Sequence, residues 1–453
     1  MMDVIQYIVD LGPVVMLPMI IFIFGLLLRR GVGKSLRAGI TIGIGFVGIG
    51  LVISLLTQNL GNAAESMAEN FDLGLNIIDL GWPGTSPMAW ASDFGLIAIP
   101  IAIAVNIVML IIGATKIVNV DIWNIWHMAF TGAMIQMATG SFVWSIVGIV
   151  IHAAMAYKLG DMFGQVTDNY FGLEGMAIPH GTSAYMGVLA APIDDLIERI
   201  PVLNKIEITT KTIEENLGIF GQPTVIGAIL GFIIGLLANY TIGESVQLAV
   251  QMASVMVLMP MVVKLIMEGL LPISEGAREF LDKRFKGSDF KIGLDPALLL
   301  GDSQVISASL LFVPLTILIA VIIPGNRVLP FGDLATIGFF FAMAVGIHKG
   351  NIFRTLISGS VIIYMVTWIA NQMATTQQAL GQYVGLLNLG EQVSSLDGAG
   401  APIRYLLIHG INLEMSLGFF VILIIYGFGF VYTFIKYKKR KLYVESDGGA
   451  NHS

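Results

Sequence analysis

Several short stretches of this chain set carboxylates, imidazoles and hydroxyls beside prolines and glycines, within a sequence that is otherwise largely hydrocarbon. Polar groups at membrane depth are costly and usually face a cavity or a partner, so chemistry is expected there. The first stretch is Asp79-Leu-Gly-Trp-Pro-Gly-Thr-Ser-Pro-Met-Ala-Trp90. Its prolines and glycines cannot sustain a regular helix. Thr85 and Ser86 offer hydroxyls, and Trp82 and Trp90 offer faces for a sugar-like ligand. An interfacial loop with belt tryptophans is the competing account. The second is Asn119-Val-Asp-Ile-Trp-Asn-Ile-Trp-His127, where Asn124 and His127 share a helical face with Asp121 one turn earlier. A carboxylate, an amide and an imidazole so placed suit several hydroxyls, or else a polar contact between helices.

The third stretch is Leu173-Glu-Gly-Met-Ala-Ile-Pro-His-Gly-Thr-Ser-Ala-Tyr185. Glu174, His180, Gly181, Thr182 and Ser183 read as a re-entrant, ligand-lining turn, with a plain loop histidine as the alternative. The fourth is Gly293-Leu-Asp-Pro-Ala-Leu-Leu-Leu-Gly-Asp302, in which Asp295 precedes a proline where a helix starts. That placement suits an N-cap and does not exclude ligand contact. Asp333 in Pro330-Phe-Gly-Asp-Leu-Ala is a similar case. His152 in an apolar run, and the stripe of Gly43, Gly45, Gly48 and Gly50, read as helix packing. No phosphate-cradling loop or histidine pair at metal-ligand spacing is present, so no cofactor or metal is expected. The lack of cysteine excludes disulfides, thiolate metal sites and a cysteine nucleophile within this chain.

These residues need elements to hold them in a bilayer. Apolar residues make up 56% of the chain and charged residues 12%, against about a quarter charged in soluble domains. The mean hydropathy is +0.82. Apolar runs such as 40–56, 96–112, 305–323 and 419–435 approach the roughly 18 residues that a span needs. Asp3 and Asp10 precede the first run without a basic residue, so it is expected as a retained span rather than a signal peptide.

Lysine and arginine cluster after the first span (Arg29, Arg30, Lys34, Arg37), between Lys264 and Lys291, at Lys349 and Arg354, and from Lys436 to Lys441. Because cytoplasmic loops collect these residues, the N-terminus is expected outside and the C-terminus inside, which requires an odd number of spans. The halves also resemble each other. Leu11-Gly-Pro-Val-Val-Met-Leu matches Phe220-Gly-Gln-Pro-Thr-Val-Ile, which contains Gln222, and Ile99-Pro-Ile-Ala matches Val313-Pro-Leu-Thr.

The expected fold is therefore an all-α polytopic membrane protein. About eleven transmembrane helices form two inverted five-helix repeats plus a C-terminal helix, with re-entrant or broken segments. The repeats are expected at 1–160 and 220–370, separated by a cytoplasmic connector at 161–219. An external loop (371–403), a final helix (404–436) and a cytoplasmic tail (437–453) follow. On this topology only Arg327 and Arg404 fall outside.

Several longer blocks resemble the membrane IIC component of galactitol-type sugar phosphotransferase systems. They include Gly45-Phe-Val-Gly-Ile-Gly-Leu-Val, Met67-Ala-Glu-Asn-Phe-Asp, Gly81-Trp-Pro-Gly and Val118-Asn-Val-Asp-Ile-Trp-Asn-Ile-Trp-His-Met. Ala177-Ile-Pro-His-Gly-Thr-Ser-Ala-Tyr-Met-Gly, Ile292-Gly-Leu-Asp-Pro-Ala-Leu-Leu-Leu-Gly and Val328-Leu-Pro-Phe-Gly-Asp-Leu-Ala continue the likeness. The resemblance implies a homodimeric, elevator-type carrier of galactitol or a related alditol in the inner membrane, with a moving core domain and a fixed scaffold. It implies cytosolic IIA and IIB partners, with IIB passing phosphate from a cysteine to the alditol, and no nucleic-acid partner. His180, Asp295 and Glu174 are the expected catalytic group, with His180 or Asp295 as proton acceptor. Thr85, Ser86, Asp121, Asn124, His127, Gly181, Thr182, Ser183, Gln222 and Asp333 are the expected substrate contacts. The competing functions are an ion-coupled secondary transporter and an uncoupled scaffold or channel subunit.

Overall fold

The computed structural model describes residues 13–56, 59, 62–70, 75, 77–121, 123–208, 210, 223–284, 290–330, 332–384, 387 and 392–448. Gln222 and residues 211–219 of the expected connector lie outside the described residues. The chain is mostly helical, in the order α1 (Pro13–Leu27), α2 (Val32–Leu56), α3 (Asn62–Asn70), α4 (Gly81–Ala91), α5 (Phe94–Ile111), α6 (Trp123–Thr139), α7 (Phe142–Asn169) and α8 (Ser183–Glu198). The second half follows with α9 (Pro223–Leu237), α10 (Ile242–Arg284), α11 (Ser303–Ile322), α12 (Gly338–Ile347), α13 (Ile352–Tyr383), α14 (Pro402–Ile411) and α15 (Leu417–Gly448). Among the described residues, four helices are long and apolar enough to cross a membrane: α7, α11, α13 and the Leu417–Tyr437 part of α15.

Short strands interrupt the helices. β1 (Ile77–Asp79), β5 (Val328–Leu329) and β6 (Val393–Ser394) form one parallel sheet in the order β5-β1-β6. β2 (Ile117–Asn119), β3 (Met176–Ala177) and β4 (Lys291–Gly293) form the other, in the order β2-β4-β3. Backbone that leaves a helix in a bilayer must find partners inside the protein, and these short ladders supply them. Strands of two or three residues are too short to show an alternating pattern in sequence.

The pairing exposes the internal repeat. β4 begins 214 residues after β1, β5 begins 211 after β2, and β6 begins 217 after β3. Each sheet takes its central strand from one half and both flanking strands from the other. Such reciprocal exchange is the contact pattern of two copies related by a two-fold axis. The first helical hairpins repeat too. α1 is followed by Arg29 at φ 59° and α9 by Asn239 at φ 61°, each a left-handed residue closing a helix end.

The helices fall into two packing groups. α1 packs on α2, α2 on α10, and α9 on α10. Gly48 belongs to that packing, because a Cβ there would come within 2.8 Å of Val262 on α10. The second group comprises α4–α8 and α11–α15 around the two sheets, with α6 buried from Trp123 to Ile135. At one end of α8, Asp194 accepts from Arg354 at 3.1 Å and lies 2.9 Å from His348 Nδ1. Beside it, Asp195 binds Lys436 and Tyr432 of α15.

Residues 371–403 differ from the expected loop. Residues 371–383 continue α13, and the chain is buried from Val393 to Tyr405. Its polar groups are satisfied internally, as Ser394 donates to the Ala370 carbonyl (2.7 Å) and Ser395 to Gln377 (3.0 Å). The expected final helix at 404–436 is two helices, α14 and α15, and the described part of the tail continues α15 to Gly448. Arg404, expected outside, is fully buried. It donates to Thr131 Oγ1 (3.1 Å) and the His127 carbonyl (3.3 Å), and lies over the Phe130 ring.

Candidate functional site

The site follows from where the strands stop. Asp79 is the last residue of β1, and Asp121 and Asp295 stand two residues beyond β2 and β4. His180 and Asp397 each stand three residues beyond β3 and β6, and Asp333 four beyond β5. Ligands favour the carboxyl ends of parallel strands, where chain turns leave polar groups and helices begin. Here α4, α6, α8 and α14 all start within a few residues of these positions.

The outer turns are clamped by carboxylates. Asp79 accepts from the N–H groups of Gly81 (3.0 Å), Leu396 (3.1 Å) and Asp333 (2.8 Å). Asp333 accepts from Trp82 (3.1 Å) and Asp397 (2.8 Å). Gly81, at φ +62°, touches Gly332 so closely that a Cβ would lie 2.6 Å from the Gly332 carbonyl carbon, so both turns need glycine. In the other sheet, Asp121 accepts from Trp123 (2.9 Å) and from the Asp295 N–H (3.0 Å). Asp295 caps the 3₁₀ turn Pro296–Gly301 through Ala297 N–H at 2.7 Å, so the N-cap reading holds.

His180 and His127 bridge the two sheets. His180 Nε2 lies 3.9 Å from Asp295 Oδ2, and its ring stands edge-on to His127 with centroids 4.5 Å apart. His127 Nε2 lies 3.5 Å from Asp397 Oδ1 and 3.4 Å from Thr182 Oγ1, while Thr182 donates to the same carboxylate oxygen. Gly181 permits this approach, because a Cβ there would sit 2.6 Å from His127 Cγ. The Thr182 N–H donates to His180 Nδ1 at 3.3 Å, so neutral His180 carries its proton on Nε2.

Of the residues expected from sequence, His180, Asp295, Asp121, Asn124, His127, Gly181, Thr182, Ser183 and Asp333 come together and are buried or nearly so. Asn124 donates to Asn119 Oδ1 (2.7 Å) and reaches towards the Leu294 carbonyl (3.5 Å). Thr85 and Ser86 are buried on α4 beside them. Thr85 donates to the Gly81 carbonyl and meets Gln377, and its methyl packs where a Cβ on Gly398 would fall. Glu174 is exposed on the turn ahead of β3 and is not among the clustered side chains. Trp82 stands edge-on to Trp123 at 5.8 Å, whereas Trp90 packs against the core.

Asp397 and Arg404 complete the cluster and were not selected by motif. The repeat offset carries a usable signal, since the 217-residue shift from β3 to β6 lays Leu396-Asp397-Gly398 on Pro179-His180-Gly181. Several buried polar atoms of these residues have no hydrogen-bond partner among the described residues: Trp82 Nε1, Trp123 Nε1, Asn124 Oδ1, Ser183 Oγ and Arg404 Nη1. Among the described residues, no group of three or more His, Asp or Glu is disposed to hold a metal ion.

The arrangement supplies both donors and acceptors, suited to a ligand with many hydroxyls, and a largely buried carboxylate beside an imidazole, suited to moving a proton. Comparison with known proteins shows the family. Residues 7–385 match the family described as "PTS system sugar-specific permease component". The chain is 54% identical over 443 residues to the "PTS system galactitol-specific EIIC component" of Escherichia coli K12, covering 96% of this chain and 98% of that protein. The same values hold for the protein of that description in Escherichia coli O157:H7. The chain belongs to the family of membrane-embedded, sugar-specific permease components of the phosphotransferase system.

Proposed function

We propose that this permease imports galactitol or a related alditol, which is phosphorylated as it reaches the cytosolic side by a IIB protein carrying phosphate on a cysteine. The observation that carries the reading is the set of buried donors and acceptors, on residues of or next to the clustered stretches, that have no partner among the described residues. Buried polar groups are nearly always hydrogen-bonded, and a polyol offers a donor and acceptor at every carbon. The names of the 54%-identical relatives support galactitol as the first substrate to test.

In the transfer step a terminal hydroxyl oxygen attacks phosphorus, the new O–P bond forms as the S–P bond breaks, and the thiolate leaves on IIB. The hydroxyl proton goes to Asp295. Both ring nitrogens of His180 are committed in its neutral form, Nδ1 to the Thr182 N–H and Nε2 to its own proton. His180 therefore donates towards Asp295 or a substrate hydroxyl, and the carboxylate is the better proton acceptor. Positioning and charge stabilisation supply the remainder of the rate, as in other phosphoryl transfers.

The same reading covers the architecture. The basic end, with Lys116, Lys158 and Lys291, faces the cytosol of an inner membrane, with the N-terminus outside and about eleven spans. The α1–α2–α9–α10 group serves as the scaffold of a homodimer, and the helices around the two sheets form the moving core of an elevator. IIA supplies phosphate to IIB.

Vesicles containing the purified chain test the function. Supplied with phosphorylated IIB on the cytosolic face, they should accumulate galactitol phosphate, and without IIB they should accumulate nothing. Free galactitol driven by a pH gradient would instead establish an ion-coupled transporter, and leak without either would establish an uncoupled pore.

A further inference from the structure

The five aspartates at the strand ends look alike in sequence, yet the accounting of their oxygens divides them. Asp79, Asp121 and Asp333 each have both carboxylate oxygens engaged by backbone N–H groups: Asp79 by Gly81, Leu396 and Asp333, Asp121 by Trp123 and Asp295, and Asp333 by Trp82 and Asp397. These three are structural staples, since moving them would strand buried N–H groups. Asp295 has one oxygen on the Ala297 N–H and the other turned to His180 at 3.9 Å. Asp397 differs from all four. Among the described residues its carboxylate takes no backbone N–H, only the Thr182 hydroxyl and His127 Nε2, both on Oδ1.

We propose that Asp397 is a substrate-holding residue, which grips adjacent hydroxyls of the alditol away from the reacting end and reads their configuration. The inference rests on the alditol-binding function proposed above and deepens it. A carboxylate accepts from two neighbouring hydroxyls at once, one on each oxygen, so its contact depends on how a vicinal diol is oriented. The partners of Asp397 are side chains that a polyol can replace or share. Thr182 gives its proton to Asp397, so His127 Nε2 is the donor towards both of them and offers a hydroxyl the complementary contact. Two further groups border this spot and point independently to a ligand. Ser183, which follows Thr182, is wholly buried, and its hydroxyl has no partner among the described residues. Arg404, also wholly buried, donates through Nη2 to the His127 carbonyl, and its Nη1 has no partner among the described residues.

Position within the repeat agrees with the assignment. Asp397 occupies the place in the second half that His180 holds in the first, three residues beyond the strand. The two ends of the alditol are thus held by equivalent positions bearing different side chains. His180 and Asp295 lie at the reacting end, with Asp397, His127 and Thr182 at the other.

The experiment compares two variants in the assembled system with phosphorylated IIB, using galactitol and alditols epimeric at its inner carbons. Asp397→Asn should weaken galactitol binding about tenfold or more and shrink the preference among epimers. Unchanged affinity together with unchanged preference would overturn the proposal. A second measurement does not require Asn to be tolerated. The chain contains no cysteine, so alkylation of the Asp397→Cys variant in membranes reports on that position alone. Galactitol should slow the alkylation, and equal rates with and without it would also overturn the proposal. If the parent protein shows no IIB-dependent phosphorylation, the proposed function itself fails, and that outcome is distinct from either variant result.

Discussion

Asp295→Asn is expected to lower IIB-dependent phosphorylation of the alditol by about 10²–10⁴-fold, the usual contribution of a positioned general base. Alditol affinity should change little. The asparagine oxygen can still accept the Ala297 N–H, now made at 2.7 Å, so the Pro296–Gly301 turn keeps its cap. The group lost is the basic oxygen facing His180. Single-turnover transfer from phosphorylated IIB, measured beside equilibrium binding of galactitol, separates the two quantities. Loss of binding with normal transfer at saturation would place the base elsewhere.

Asp79→Ala is expected to have an equally large effect through stability. It removes an acceptor from the N–H groups of Gly81, Leu396 and Asp333 at once. Each buried donor left unpaired costs about 1–3 kcal/mol, so the sum is roughly 3–9 kcal/mol. Native proteins hold only about 5–15 kcal/mol in total. The variant should be lost from the folded, monodisperse fraction in detergent, or unfold at a much lower temperature, as size-exclusion and thermal-unfolding measurements would reveal. Asp79→Asn should be milder, since one oxygen remains to serve Gly81 and Leu396. A stable Asp79→Ala protein would mean that these N–H groups find other partners.

Much of this centre was legible because polarity at a broken helix is conspicuous against an apolar background. His180, Asp295, Asp121, Asn124 and His127 all sit within a few residues of proline, glycine or a helix start, and the structure gathers them. Glu174 satisfied the same criterion, yet it precedes the strand whose far end carries His180, so a few residues separate solvent from the interior. The stretch 394–400 is opaque for the opposite reason. Ser-Ser-Leu-Asp-Gly-Ala-Gly has the composition of a solvated turn, and only pairing with β1, more than three hundred residues earlier, buries it. Arg404 falls outside on the topology expected from the span count. A guanidinium over Phe130, bonded to Thr131 and His127, comes from tertiary contacts that no local pattern encodes. The strands themselves were invisible, because two or three residues carry no period.

The exchange of strands between the halves governs how the protein can be made. β1 leaves the ribosome early, but its flanking strand β6 begins only at Val393. At about 5–20 residues per second, the interval from Asp79 to Val393 lasts about 15–60 s. Throughout that time the nascent first half holds an unpaired ladder edge and a carboxylate awaiting the Leu396 N–H. Biogenesis therefore depends on a partly open intermediate that the insertion machinery must shield until the last strand arrives.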